Sequence, residues 1–204
     1  LLQSNTLIIH GIALTKKEIK KCAETGTSIC WCPNSNLFLI GKTLEARTCL
    51  DFGVNLILGT DSTMSGNLNL FSEIRKAHKI YPEIPLKEIF KMITTNAQKA
   101  LYLPTSYGKL EESSTNLLLM NKKKEDPFEN LLLVDTSDIA LLVHEGVPIF
   151  GDIEYFEDFT VDTSSYYFFK IGHSGKFVIG HPEAVTKKID SILGYHKRFP
   201  YLPF

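Results

Sequence analysis

Val54-Asn55-Leu56-Ile57-Leu58-Gly59-Thr60-Asp61-Ser62 reads as a buried strand that ends by presenting one carboxylate at its carboxyl edge. A short apolar run closed by glycine suits an interior strand of a parallel sheet. Leu7-Ile8-Ile9-His10 does the same with an imidazole, and Ser28-Ile29-Cys30-Trp31-Cys32-Pro33 ends another strand in a polar turn. Helical patterns lie between. Thr15-Lys16-Lys17-Glu18 is a capping-box sequence opening a helix whose Ile19, Cys22 and Ala23 share a face and which Gly26 stops. Thr43 is the candidate cap of a second helix, which offers Leu44, Cys49 and Leu50 to the core before Gly53, and residues 68–80 make a third. The polar strand ends lie 22 residues apart from His10 to Cys32 and 29 from Cys32 to Asp61, a spacing that suits right-handed βαβ crossovers. Three strands delivering polar groups at one end describe the catalytic rim of a parallel α/β barrel.

Beyond Pro82 and Pro85, Leu86, Ile89, Phe90, Ile93, Ala97, Ala100 and Leu101 predict one longer helix over residues 86–101. The pattern then changes to short strand candidates at 117–120, 131–134, 139–143 and 147–150, with Glu145-Gly146 as a hairpin turn. Residues 166–171 and 176–179 predict a further hairpin across Gly172-His173-Ser174-Gly175. A final amphipathic helix carries Val185, Ile189, Ile192 and Leu193.

With 204 residues and 44% hydrophobic content, the chain can bury a substantial core. A net charge of −1 and a pI near 6.7 argue against nucleic acid or a membrane surface as the partner. No apolar run approaches the roughly 18 residues of a membrane span, and no signal peptide is visible. Cys22, Cys30, Cys32 and Cys49 do not match zinc-finger spacing and read as reduced, buried thiols in a cytoplasmic protein.

Asp61 is costly to bury after three apolar residues unless it is paired, hydrogen-bonded or bound to a metal. A turn or helix-capping role is the competing reading. His10 alone reads more readily as a hydrogen-bonded core histidine than as a catalyst. At matching strand ends, the two together read as rim groups. Gly11 and Gly59 beside them permit close approach. Cys32-Pro33-Asn34-Ser35-Asn36 reads as a turn that can also shape a pocket.

These residues carry a family resemblance. His10-Gly11-Ile12-x-Leu14 with Glu18, Cys32-Pro33-Asn34-Ser35-Asn36-Leu37 and Leu58-Gly59-Thr60-Asp61-Ser62 together resemble the amidohydrolase superfamily, in its deaminase and chlorohydrolase branch. Asn69-Leu70-x-x-Glu73-Ile74-Arg75-x-Ala77 and Thr94-Thr95-Asn96-Ala97-x-x-Ala100-Leu101 continue the likeness. It is specific over residues 5–103 and weaker to about residue 152. The resemblance implies the last three βα units of a (β/α)8 barrel over residues 1–103. A small β-sandwich segment follows over 104–152, and an α+β extension with a hairpin and helix over 153–204. Asp61 would be both metal ligand and proton acceptor for the attacking water, and His10 would polarise or protonate the substrate. Trp31, Asn36 and Ser62 would bind substrate. The metal would be divalent, zinc ahead of iron, and absent from this chain alone. The substrate would be a small, heterocyclic molecule undergoing C–N or C–Cl hydrolysis.

The departures shape the expectation. The family's His-x-His pair and its further histidine belong to strands with no counterpart here, and His78, His144, His173, His181 and His196 do not replace them. Trp31 stands where the family often has histidine. The family's small-domain turn is altered around residues 113–116, and the tail from 152 to 204, ending in an aromatic run, lies outside the family pattern. Three strands cannot close a barrel, and they leave edges that folded proteins avoid. The chain is therefore expected to be the C-terminal portion of a longer hydrolase, its partners being a small-molecule substrate and the missing N-terminal part of the barrel, with homo-oligomerisation left open. The alternatives are a non-catalytic amidohydrolase-like binding or assembly subunit, and a free-standing α/β domain in which His10 and Asp61 are structural.

Overall fold

A computed structural model describes residues 1–112 and 114–198. Ser113, the first residue of the altered turn at 113–116, and the aromatic run from 199 to 204 lie outside the described residues. The chain divides into two compact units, one of Leu1–Ser114 with Lys122–Asp135, the other of Thr115–Asn121 with Thr136–Phe204. Among the described residues, no helix is long and apolar enough to cross a membrane.

In the first unit, β1 (Leu7–Ile9), β2 (Ser28–Trp31) and β3 (Leu56–Leu58) form a parallel sheet in that order. Ile9 pairs with Cys30 and Trp31 with Leu58, so the three carboxyl ends share one edge. Helix α1 (Lys16–Thr25) connects β1 to β2 and buries Ile19 and Cys22. Its capping box is complete. Thr15 Oγ1 accepts from Glu18 N, and Glu18 Oε2 accepts from Thr15 N at 2.8 Å. Gly26 ends the helix at φ 70°. Thr15 is exposed and its hydroxyl sits at the cap, so Thr15→Ala is expected to cost about 1 kcal/mol in a urea titration.

The segment after β2 is a helix, α2 (Pro33–Ile40), where the composition reads as a turn. Pro33 occupies the first helical turn, where its missing N–H costs nothing, and Gly41 ends the helix at φ 70°. Thr43 does not cap the next helix, α3 (Ala46–Asp51), which starts after Glu45. Its hydroxyl instead accepts the Trp31 indole N–H at 2.6 Å. Helix α4 (Leu70–Ile80) starts at a cap in which Asn69 accepts from Ser72 N. The expected long helix is two, α5 (Leu86–Met92) and α6 (Thr95–Ala100). Thr94 leaves the helical region at the junction and its hydroxyl donates to Phe90 O, the competition that Ser and Thr offer a helical backbone. Asn96 Nδ2 donates to Leu56 O, and Asn55 Nδ2 donates to Asn96 O, tying α6 to β3.

The predicted strand at 131–134 belongs instead to the end of α7 (Pro127–Leu133) and the residue after it. A four-residue apolar run does not distinguish strand from helix. Here Asp126 decides, because its carboxylate accepts from both Phe128 N and Glu129 N, with Pro127 in the first turn. All four cysteines are buried and unpaired.

In the second unit, β4 (Leu117–Met120), β5 (Ile139–His144), β6 (Val147–Asp152), β7 (Tyr166–Ile171) and β8 (Ser174–Ile179) form one antiparallel sheet in the order β4-β5-β6-β8-β7. The β5–β6 turn places Glu145 at φ 50° and Gly146 at φ 80°, the pair of positive values a two-residue hairpin requires. The described strands of this unit form one sheet. β8 pairs with the edge of β6 that β5 leaves open, so the 166–179 hairpin continues the sheet across the expected division at 153. Short helix α8 (Ile153–Phe156) brings Phe156 against Tyr166 and Phe177. The buried Lys176 ammonium is paired with Asp152 at 2.8 Å and donates to Ile139 O at 2.7 Å. The final helix, α9 (Pro182–Leu193), buries none of its residues.

Candidate active site

The parallel ladder runs past the last residues of β1 and β3. His10 N donates to Cys30 O at 2.8 Å and Gly59 N donates to Trp31 O at 2.9 Å, which fixes where the chain turns away. His10 then adopts φ 69° and Asp61 φ 59°. Left-handed backbone costs a residue with a β-carbon about 1 kcal/mol and persists only where its surroundings enforce it. Apart from these two, only Tyr102 and Glu145 among the described non-glycine residues have positive φ.

The two side chains meet, with His10 Nε2 lying 3.8 Å from Asp61 Oδ2. Each is held from behind by α2. His10 Nδ1 and Asn36 Oδ1 are 2.8 Å apart, and Asn36 Nδ2 donates to Thr43 Oγ1 at 3.3 Å. With the amide oriented this way, Nδ1 carries the hydrogen and Nε2 faces Asp61. Asp61 Oδ2 accepts from the Ser35 hydroxyl and, at 3.0 Å, from the Ser65 hydroxyl. The Ser35 hydroxyl holds the Asp61 carboxyl below the ordinary aspartate range, helped by the Ser62 N–H, the Ser65 hydroxyl and the His10 ring against a smaller upward push from burial. The carboxylate is thus kept ionised.

The other sequence-derived candidates lie around this pair. Asn36, expected to bind substrate, is 1% exposed and touches His10, so in this structure it braces the imidazole. Trp31, expected to bind substrate, is wholly buried with its ring against Tyr81 and its N–H on Thr43. It can support Asn36 through Thr43, but it has no surface to offer a ligand. Ser62 is exposed and builds the loop after β3, its Oγ accepting from Met64 N and its carbonyl from Ser65 N and Gly66 N. The close approach that Gly59 permits is to β2, since a β-carbon there would lie 2.6 Å from Cys30 Sγ. The Cys32 thiol is pushed up, by its hydrogen bond to Cys30 first and by burial second, and Cys49 is pushed up to about 12 chiefly by burial, so neither supplies a thiolate at neutral pH. Sequence reading missed Ser65 and Thr43 as supports of the pair and saw Ser35 only as part of a turn that can shape a pocket. The available signal was a pair of hydrogen-bonding residues, Ser35-Asn36, following directly on a strand end.

Among the described residues, no group of three or more His, Cys, Asp and Glu side chains could hold an ion. Catalytic zinc takes three protein ligands, and here Asp61 offers one carboxylate. These residues do not make a metal site by themselves.

The profile of the Amidohydrolase family matches residues 1–141. This chain belongs to that family. Its relatives include the 5-methylthioadenosine/S-adenosylhomocysteine deaminase of Pyrococcus horikoshii, 31% identical over 169 residues that cover 76% of this chain and 40% of that protein. The guanine deaminase of Mus musculus is 30% identical over 78% of this chain and 37% of its own length. A zinc-bound adenosine deaminase from Xanthomonas campestris superposes with a TM-score of 0.67 at 25% identity, covering 72% of this chain and 37% of that one. The amidohydrolase chain thus spans about two fifths of the proteins it matches.

Proposed function

We propose that this chain supplies the last three βα units and the C-terminal unit of a longer amidohydrolase. In that reading the protein hydrolytically deaminates a small nitrogen heterocycle, with C–Cl hydrolysis as the same displacement on a different leaving group. The observation that carries it is the His10–Asp61 pair, 3.8 Å apart at one edge of a parallel sheet and set by two left-handed residues. The deaminase relatives support the reaction class, and the zinc-bound relative supports a divalent metal. The open edges of β1 and β3 suit further parallel strands from the rest of the barrel.

Asp61 would give one ligand, the others coming from outside these 204 residues. When bound, such a metal lowers the pKa of water to about 7. The chain's own groups divide the proton handling. Asp61, kept ionised by Ser35 and Ser65, accepts a proton from the attacking water. His10, with Nδ1 held on Asn36, presents Nε2 to the substrate and donates from it when protonated. Ser62, exposed beside Asp61, would contact the ring.

The test is to express the full-length protein containing this chain, load it with zinc and measure ammonia or chloride release from purines, pterins and triazines. Turnover of at least one class is expected, and the 204-residue chain alone is expected to be inactive. A folded, zinc-replete full-length protein inert toward all of them would favour a non-catalytic binding subunit. High activity of the isolated chain would overturn the shared-site reading.

A further inference from the structure

Glu73 is an acidic residue, fully buried on α4 and unused by the chemistry above. A carboxylate withdrawn from water needs compensation, and one of its oxygens finds it at a helix start. Glu73 Oε2 accepts the main-chain N–H of Asn34 at 3.1 Å, in the first turn of α2. Asn34 returns a contact, its Nδ2 lying 3.5 Å from Ser72 O. Glu73 Oε1 has no hydrogen-bond partner among the described residues. A half-satisfied buried carboxylate is a poor stability device, so its value lies in what the satisfied oxygen holds.

Helix α2 has no cap of its own, because Cys32 precedes it without a side-chain hydrogen bond. Its first-turn N–H groups need acceptors from elsewhere. Glu73 provides one from a neighbouring helix. The two residues after Asn34 are Ser35, which donates to Asp61, and Asn36, which holds His10. The turn that Glu73 caps is therefore the turn that carries both supports of the candidate pair.

We propose that Glu73 is a positioning residue. By capping α2 from α4, it sets Ser35 and Asn36, and through them the geometry of Asp61 and His10. The catalytic part of this inference rests on the hydrolase reading above. Because the contact is made by an acceptor oxygen, a neutral amide of the same length should serve, whereas charge on a shorter side chain should not.

Glu73→Gln and Glu73→Ala in the zinc-loaded full-length protein test this by crystallography and by steady-state kinetics. The glutamine variant is expected to keep the Ser35–Asp61 and Asn36–His10 contacts and a kcat within about threefold of the parent. The alanine variant is expected to lose both contacts beyond about 3.5 Å. Its kcat should fall at least about tenfold, with KM changing far less. Unchanged contacts and kcat in the alanine variant would overturn the proposal. So would a glutamine variant as impaired as the alanine one, since charge would then be what matters. If the alanine variant does not fold, Glu73→Asp, one methylene short, takes its place, and full activity there is equally fatal. A parent enzyme inert toward every heterocycle defeats the hydrolase reading, while the crystallographic comparison still decides the role of Glu73.

Discussion

Asp61→Asn, introduced into the zinc-loaded full-length protein, is expected to lower kcat/KM by about 10³-fold or more while leaving the fold intact. Asparagine keeps an oxygen that can accept from Ser35 and Ser65, so the loop after β3 retains its contacts. It removes the negative charge and the site that accepts a proton. General-base removal alone is worth about 10²–10⁴-fold, and loss of a carboxylate ligand adds to that through weaker metal retention. The side chain is 27% exposed and the amide keeps the Ser35 and Ser65 contacts, so the melting temperature should fall only slightly. Kinetics paired with metal analysis checks both parts. Activity within tenfold of the parent at full zinc occupancy would show that Asp61 is a turn residue rather than a reacting group.

Gly66→Ala is expected to destabilise by about 3 kcal/mol or more and to abolish activity together. A β-carbon at Gly66 would lie 1.8 Å from Thr60 O, and 3.3 Å from Ser62 O, both main-chain atoms that cannot rotate away. Relief requires opening the 60–66 loop. That loop is closed by Gly66 N donating to Ser62 O at 2.7 Å and carries Asp61 and Ser65. Gly41→Ala is the control. Gly41 sits at φ 70° with nothing within 4 Å of a new β-carbon, so only left-handed strain of about 1 kcal/mol is expected there. Denaturant titration of both variants separates steric exclusion from backbone strain. Equal effects at the two glycines would show that the loop can open without disturbing Asp61.

His10 and Asp61 were legible because their signal is local. Each follows a short apolar run, and parallel pairing brings equivalent strand ends to one edge. The complete burial of Trp31 was not legible, for the opposite reason. Residues within a strand alternate faces, and which face meets a ligand depends on what packs against it, here Tyr81 and Thr43. The supports were harder still to see. Ser35 reaches Asp61 across 26 residues and Asn34 reaches Glu73 across 39, contacts that no periodicity encodes. The split at Thr94, whose hydroxyl donates back to Phe90 O, and the Asp126-capped helix over Pro127–Leu133 show side-chain hydrogen bonds to the backbone overriding apolar spacing.

By itself, the amino-acid order determined the alternation of strands and helices and placed an imidazole and a carboxylate at matching strand ends, because apolar periodicity and turn chemistry act over a few residues. Only the tertiary structure decided which groups stand behind that pair. Hydrogen bonds to Asp61 and His10 come from a helix start whose own acceptor lies on another helix, and such partnerships exist only once distant segments have packed.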